Sequence, residues 1–151
     1  MRFRLAGVIG LAVLLATVSA SAAGATTNTI TVGPKGQLTS RILISMPVTI
    51  VCDPLPGNAV VSNVTVNLQQ ANGKQVSSAQ GTADTFSGAA APFLTCDGVT
   101  QNTVVVQLTP NPGSGPFHGG GAIATADFVY GTDTGNFEST TTPVITVSLH
   151  G

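Results

Sequence analysis

The sequence predicts an all-β fold: an immunoglobulin-like β-sandwich of about seven to nine strands with one disulfide, preceded by a signal peptide. Three observations predict it. Apolar residues recur with a period of two in short runs, as half-buried strands require. Gly, Pro and Asn punctuate those runs at close intervals. Beyond the N-terminal segment, Thr, Val, Ala, Gly, Ser and Asn dominate, and no apolar run repeats with helical spacing.

Residues 1–25 have the three parts of an export signal. Arg2 and Arg4 form a positive start, and Leu5 to Val18 carries no charge. Small residues then offer two A-x-A sites, with cleavage after Ala25 favoured over Ala22. The apolar run falls short of the roughly 20 residues of a membrane anchor, and no later segment reaches that length. No Cys follows the run to take a lipid, and Phe3 splits the arginine pair of a twin-arginine signal. The expected product is a secreted, extracellular, monomeric domain of residues 26–151, without a membrane span.

That domain keeps three basic residues, Lys35, Arg41 and Lys74, against six acidic ones. So sparse and mildly acidic a charge set cannot neutralise a run of phosphates, which argues against nucleic-acid binding. Cys52 and Cys96 are the only cysteines in a chain bound for an oxidising exterior. A bridge between them closes a loop of about 45 residues, worth roughly 4 kcal/mol on the chain-entropy account. They lack the C-x-x-C spacing and basic neighbour of a reactive thiol pair.

Along the chain, Thr27 to Val32 reads as a short strand and Gly33-Pro34-Lys35-Gly36 as a turn. Ile42, Ile44, Met46, Val48, Ile50 and Cys52 share one face of the clearest strand. Pro47 within it predicts an edge, a bulge or a break, because proline donates nothing to a ladder. A Pro-rich loop follows, then a strand through Val64, Val66 and Leu68. Asn72-Gly73 predicts a type I′ hairpin into residues 74–80. Phe93 to Cys96, Val104 to Leu108, Ala122 to Tyr130 and Val144 to Leu149 read as further strands. Residues 110–121 and 131–142 read as loops.

Several pieces together resemble a family of small secreted actinobacterial β-sandwich domains of unknown function. They are Thr29-Ile30-Thr31-Val32-Gly33-Pro34-Lys35-Gly36, the strand ending in Cys52, Cys96-Asp97-Gly98, and Gly115-Pro116-Phe117 followed by Gly119 to Ala122. The resemblance implies a disulfide across the sandwich and no catalytic residues. A Trp expected after the second cysteine is absent; Thr103 and Val104 occupy that region.

His118-Gly119-Gly120-Gly121 matches a string that lends backbone N–H groups to the oxyanion hole of some esterases. Its companion G-x-S-x-G elbow is missing, so a loop entering a strand accounts for it better. His118 and His150 lack zinc-site spacing. Asp127, Asp133 and Glu138 could serve as paired carboxylates or calcium ligands, but they lack the alternation of a calcium loop. Asn63-Val64-Thr65 is a glycosylation sequon of no assigned role.

The sequence reading is a secreted, non-enzymatic binding or structural module, a candidate for cell-surface or wall association, with no catalytic residue, cofactor or metal expected. Its partner is an extracellular protein, glycan or small ligand. The candidate docking residues lie in three loops: Pro54, Pro56 and Asn58; Pro116, Phe117 and His118; and Asp133, Asn136 and Phe137. A small-ligand carrier is the first alternative, and a small hydrolase using the His118 loop is the second.

Overall fold

The computed structural model describes residues 28–57, 59–84 and 94–151. The segment expected to be a signal peptide (residues 1–25), Asn58 and Phe93 lie outside the described residues. The described chain is nine β-strands without a helix: β1 (Thr29–Val32), β2 (Lys35–Thr39), β3 (Leu43–Val51), β4 (Ala59–Asn72), β5 (Gln75–Asp84), β6 (Asn102–Pro110), β7 (Gly120–Thr132), β8 (Phe137–Thr141) and β9 (Ile145–His150).

The strands form one sheet in the order β1-β3-β2-β9-β7-β4-β5-β6, with β8 on β7. A further β3–β6 pairing closes seven of them into a barrel-like ring. Closure matters because it pairs both edges of these seven strands and leaves only the outer edges of the short strands β1 and β8 without a ladder partner. β3 and β6 run antiparallel along most of their length, as do β4 and β7. The ring is joined more briefly at Lys35–Gln37 with Ser148–His150, in parallel, and at Ala79–Gln80 with Thr109–Pro110.

β3 is the strand on which the others are laid. Its inward residues Ile44, Met46, Val48 and Ile50, followed by Cys52, are fully buried. They meet Val104, Val106 and Leu108 of β6, Val64, Val66 and Leu68 of β4, and Ala124, Ala126 and Phe128 of β7. One edge of β3 pairs with β6, and the other takes β1 and β2 in succession. Between those two the chain breaks at Gly33-Pro34, opposite Pro47.

That break explains how a proline sits inside the ring. The Gly33 N–H donates to the Pro47 carbonyl at 2.7 Å, so the Pro47 nitrogen faces the same side, where the ladder is already interrupted. A Cβ on Gly33 would stand 2.7 Å from the Pro47 ring, so the contact requires glycine. β3 is therefore one continuous strand, and the proline marks the break in its neighbour.

Several elements differ from expectation. Lys35 and Gly36 begin β2 instead of completing a turn. Ile42 is 61% exposed in the β2–β3 turn, outside the buried face of β3. The β4–β5 hairpin lies where Asn72-Gly73 places it, but its two loop residues are Gly73 and Lys74. Only Gly73 has a positive φ (61°), which rules out type I′. Leu94 to Cys96 forms no strand. Residues 137–141, expected to be loop, form β8, which presents no fully buried face.

Cys52 and Cys96 are disulfide-bonded, with Cα atoms 4.6 Å apart. The bridge ties the end of β3 to the segment leading into β6. Asn102 completes the tie: its amide accepts from the Thr95 N–H at 2.8 Å and donates to the carbonyls of Thr95 and Ile50.

Gly81 sits where β5 approaches β6 most closely, and a Cβ there would stand 2.0 Å from the Gln107 carbonyl oxygen. Gly121 has nothing within 4 Å of that position. Gly81→Ala is expected to destabilise the fold by at least about 2 kcal/mol in denaturant unfolding, because backbone must shift. Gly121→Ala should stay within about 0.5 kcal/mol of the parent chain.

Candidate functional site

The strand register separates the loops into two groups. Val51 at the end of β3 lies opposite Thr29, and Ala59 at the start of β4 opposite Thr132. The β3–β4 loop, the disulfide segment and the β7–β8 turn therefore share one end of the barrel. The β2–β3 turn, the β4–β5 turn and the β6–β7 loop share the other. The three predicted docking loops do not form one surface.

At the first end, two loops are braced around a single oxygen. The Pro56 carbonyl accepts from Thr132 Oγ1 at 3.0 Å, Thr134 Oγ1 at 2.5 Å and Asn136 Nδ2 at 3.2 Å. The turn is also closed on itself, by Thr132 N–H to the Asn136 carbonyl and Gly135 N–H to the Thr132 carbonyl. Gly57, at φ +105°, passes so close to Asp133 and Thr134 that a side chain would collide with both. This bracing fixes the base of the next residue, Phe137.

Phe137 is 63% exposed. Its ring lies over Gly131, where a Cβ would come within 2.3 Å of the ring edge. A bare glycine thus seats one side of the aromatic ring while much of the ring stays in solvent. At the same end of the barrel Pro54, Pro56 and Asp133 are exposed, and Asn136 is half-buried. Asp53, Asp97, Asp133 and Glu138 belong to this end, and Asp84, opposite Asn63 in β4, lies one register step beyond Glu138. Glu138 accepts a hydrogen bond from the Asn28 amide, whose oxygen in turn accepts from the Asp53 N–H.

Asp97 organises the disulfide segment. It accepts from the N–H groups of Val99 and Thr100 and from the Thr100 hydroxyl, at 2.9, 2.6 and 2.6 Å. These bonds favour the charged form, the Thr100 hydroxyl most, and lower the carboxyl pKa from 3.8 to about 2.

The other end is built for closure. Phe117 is only 1% exposed, so it is a core residue and its ring is withdrawn from any docking surface. Gln70, also 1% exposed, holds the chain beside it. Its Oε1 accepts from the His118 N–H at 3.0 Å, and its Nε2 donates to the carbonyls of His118 and Gly121 at 2.8 and 3.3 Å. The His118 N–H is therefore engaged within the fold, and the imidazole Nδ1 lies 2.9 Å from the Gly119 carbonyl. Pro116 is exposed, and its carbonyl accepts from the Ser77 hydroxyl.

Gln70 was legible in principle. It continues the inward series Val64, Val66, Leu68 by one more step of two, so it had to be a buried amide with partners. Gly131 and Asn102 carried no comparable signal.

Asp127, Asp133 and Glu138 do not converge. Asp127 lies on β7 and accepts from the Thr141 hydroxyl at 2.6 Å, while Glu138 lies opposite Tyr130. Among the described residues, no three His, Cys, Asp or Glu side chains group to hold a metal ion. No described helix is long and apolar enough to cross a membrane. A shallow, uncharged recess of about 320 Å3 on the outer face of β5, β4, β7 and β9 is floored by Val76, Ala71 and Ile123. Comparison with protein-family models, curated proteins and solved structures finds no match to this chain.

Two outcomes test this geometry. The folded Asp97 pKa lies below its ordinary value, so its contribution is complete above about pH 4 and is lost as pH falls towards 2. The Asp97 carboxyl should titrate by NMR with a midpoint near 2, and Thr100→Val should raise that midpoint. Gln70→Ala strands three backbone groups and should cost about 2–3 kcal/mol, with faster amide exchange at His118.

Proposed function

We propose that this chain is an exported, non-enzymatic binding module whose partner docks on the end bearing Pro54, Pro56, Asp133, Asn136 and Phe137. Phe137 is the observation that carries the reading. A large apolar side chain is kept in solvent by a turn braced around the Pro56 carbonyl, so it is held ready and loses little freedom on contact. Aromatic residues of this kind are the usual anchors of interfaces. The partner is an extracellular protein or glycan, met by a monomer.

The residue 1–25 signal supports export, and the disulfide suits an oxidising exterior. The immunoglobulin-like description belongs to the same reading. Its support is the long β3–β6 and β4–β7 pairings, joined into a ring only by the brief contacts at β2–β9 and β5–β6. The likeness to small secreted actinobacterial domains is part of this proposal too.

The test is retention of the purified domain on cell-wall and supernatant fractions of its own host. Phe137→Ala should lower retention at least about tenfold, the scale of an interface anchor. His118→Ala, at the far end, should leave it unchanged. Retention that survives Phe137→Ala, or is lost with His118→Ala, would overturn the placement.

A further inference from the structure

We propose a second, separate site: the outer face of β9, β2, β3 and β6 receives a small organic monocarboxylate with a short aliphatic body. Lys35 and His150 hold the carboxylate, and Pro47 with Val105 forms the apolar floor. The inference extends the small-ligand alternative weighed from the sequence and does not depend on the docking end.

The register builds this face. His150 lies opposite Gln37, Gln37 opposite Ser45, and Ser45 opposite Gln107, which makes one row across four strands. Two residues along, Ser148 lies opposite Lys35 and Pro47 opposite Val105, which makes the next. Side chains in both rows point away from the core, because the alternate residues Gly36, Ile44, Met46, Val106 and Leu149 point inward. Between the rows lies an open recess of about 410 Å3.

The chemistry of the lining selects the ligand. It contains an ammonium and an imidazole but no carboxylate, although the described chain has twice as many acidic as basic residues. The acids lie elsewhere: four at the docking end, and Asp84 and Asp127 on β5 and β7. The Ser45 hydroxyl donates to Gln107 Oε1 at 2.9 Å, which leaves the Gln107 amide nitrogen as a further donor beside the recess. A lining that offers donors and no acidic side chain suits an anion.

One lysine and one histidine cannot match a phosphate chain, so the anion is small. Val105 is 54% exposed beside Pro47, a floor that rewards an apolar body over a bare ion. The floor has no aromatic ring to stack on, which favours an aliphatic one.

The test is an NMR titration of the folded protein with hexanoate, with hexan-1-ol and inorganic phosphate as comparison probes. Hexanoate should shift the amides of Lys35, Ser45, Val105 and His150, with saturation in the millimolar range. Lys35→Gln should weaken it at least about tenfold, the scale of a lost charge-assisted contact. Arg41→Gln makes the same charge change outside the recess, and it should leave the titration unaltered, as should Phe137→Ala. The proposal fails if hexanoate moves none of these amides by 50 mM, a probe concentration set at roughly tenfold above the weakest expected affinity. It fails equally if hexan-1-ol or phosphate binds as well, or if Arg41→Gln weakens hexanoate as much as Lys35→Gln does.

Discussion

Burial of the inner face of β3 is the constraint on which the rest of the structure depends. Its inward side chains are completely removed from water, and each edge of the strand is paired. Fully burying a side chain of this size is worth about 1.5–3 kcal/mol, so this one strand supplies a large part of the driving force for folding. Its edges set the rest. β6 must run antiparallel along one side, and the N-terminal chain must cover the other without meeting a donor at Pro47. The Gly33-Pro34 break answers that requirement. It also frees β2 to turn towards β9 and close the ring.

Closure at β2–β9 covers only half of the seam. Beyond the break, β1 stays on β3 and β8 stays on β7, and no ladder joins β1 to β8. Asn28 spans this region with side-chain bonds to Asp53 and Glu138. The barrel is therefore laddered where β2 passes and less so where the β3–β4 and β7–β8 connections emerge. The disulfide and the Asn102 amide reinforce this same end, where the ladder does least.

The strands that bury a clearly apolar face were legible in the sequence; β8, which buries none, and β2, whose buried face begins with a glycine, were not. β3, β4, β6, β7 and β9 alternate clearly because one face is removed from water. β8 reads Phe-Glu-Ser-Thr-Thr, with no apolar side to repeat, and its strand character comes from the edge of β7 that it pairs with. β2 was hidden by Gly36, which is glycine because Met46 and Leu149 crowd the position from inside the core. Site residues divide by the same logic. Phe137 and Phe117 are both aromatic residues in polar, glycine-bearing loops. What separates them is Gly131, which seats one ring at the surface, and Gln70, which draws the chain around the other into the core. Gln70 acts from a strand far along the chain, and Gly131 meets Phe137 only through the β7–β8 pairing, so neither fate is set by the residues flanking the ring.

The two ends also differ in charge, and this follows from where the loops lie. Asp53, Asp97, Asp133 and Glu138 stand at the docking end, while Arg41 and Lys74 occupy the β2–β3 and β4–β5 turns at the other. With so few charges in total, their segregation makes the molecule electrically polar although its net charge is small. A field of this shape acts over about one Debye length, roughly 8 Å in physiological salt. It therefore cannot hold a partner at a distance, but it can orient one that is already close. The acidic end repels anions, whereas Lys35 and His150 lie on a side face that no described carboxylate lines. An anionic ligand and a partner that prefers the acidic end would thus be sorted to different surfaces by charge alone, before any shape-specific contact is made.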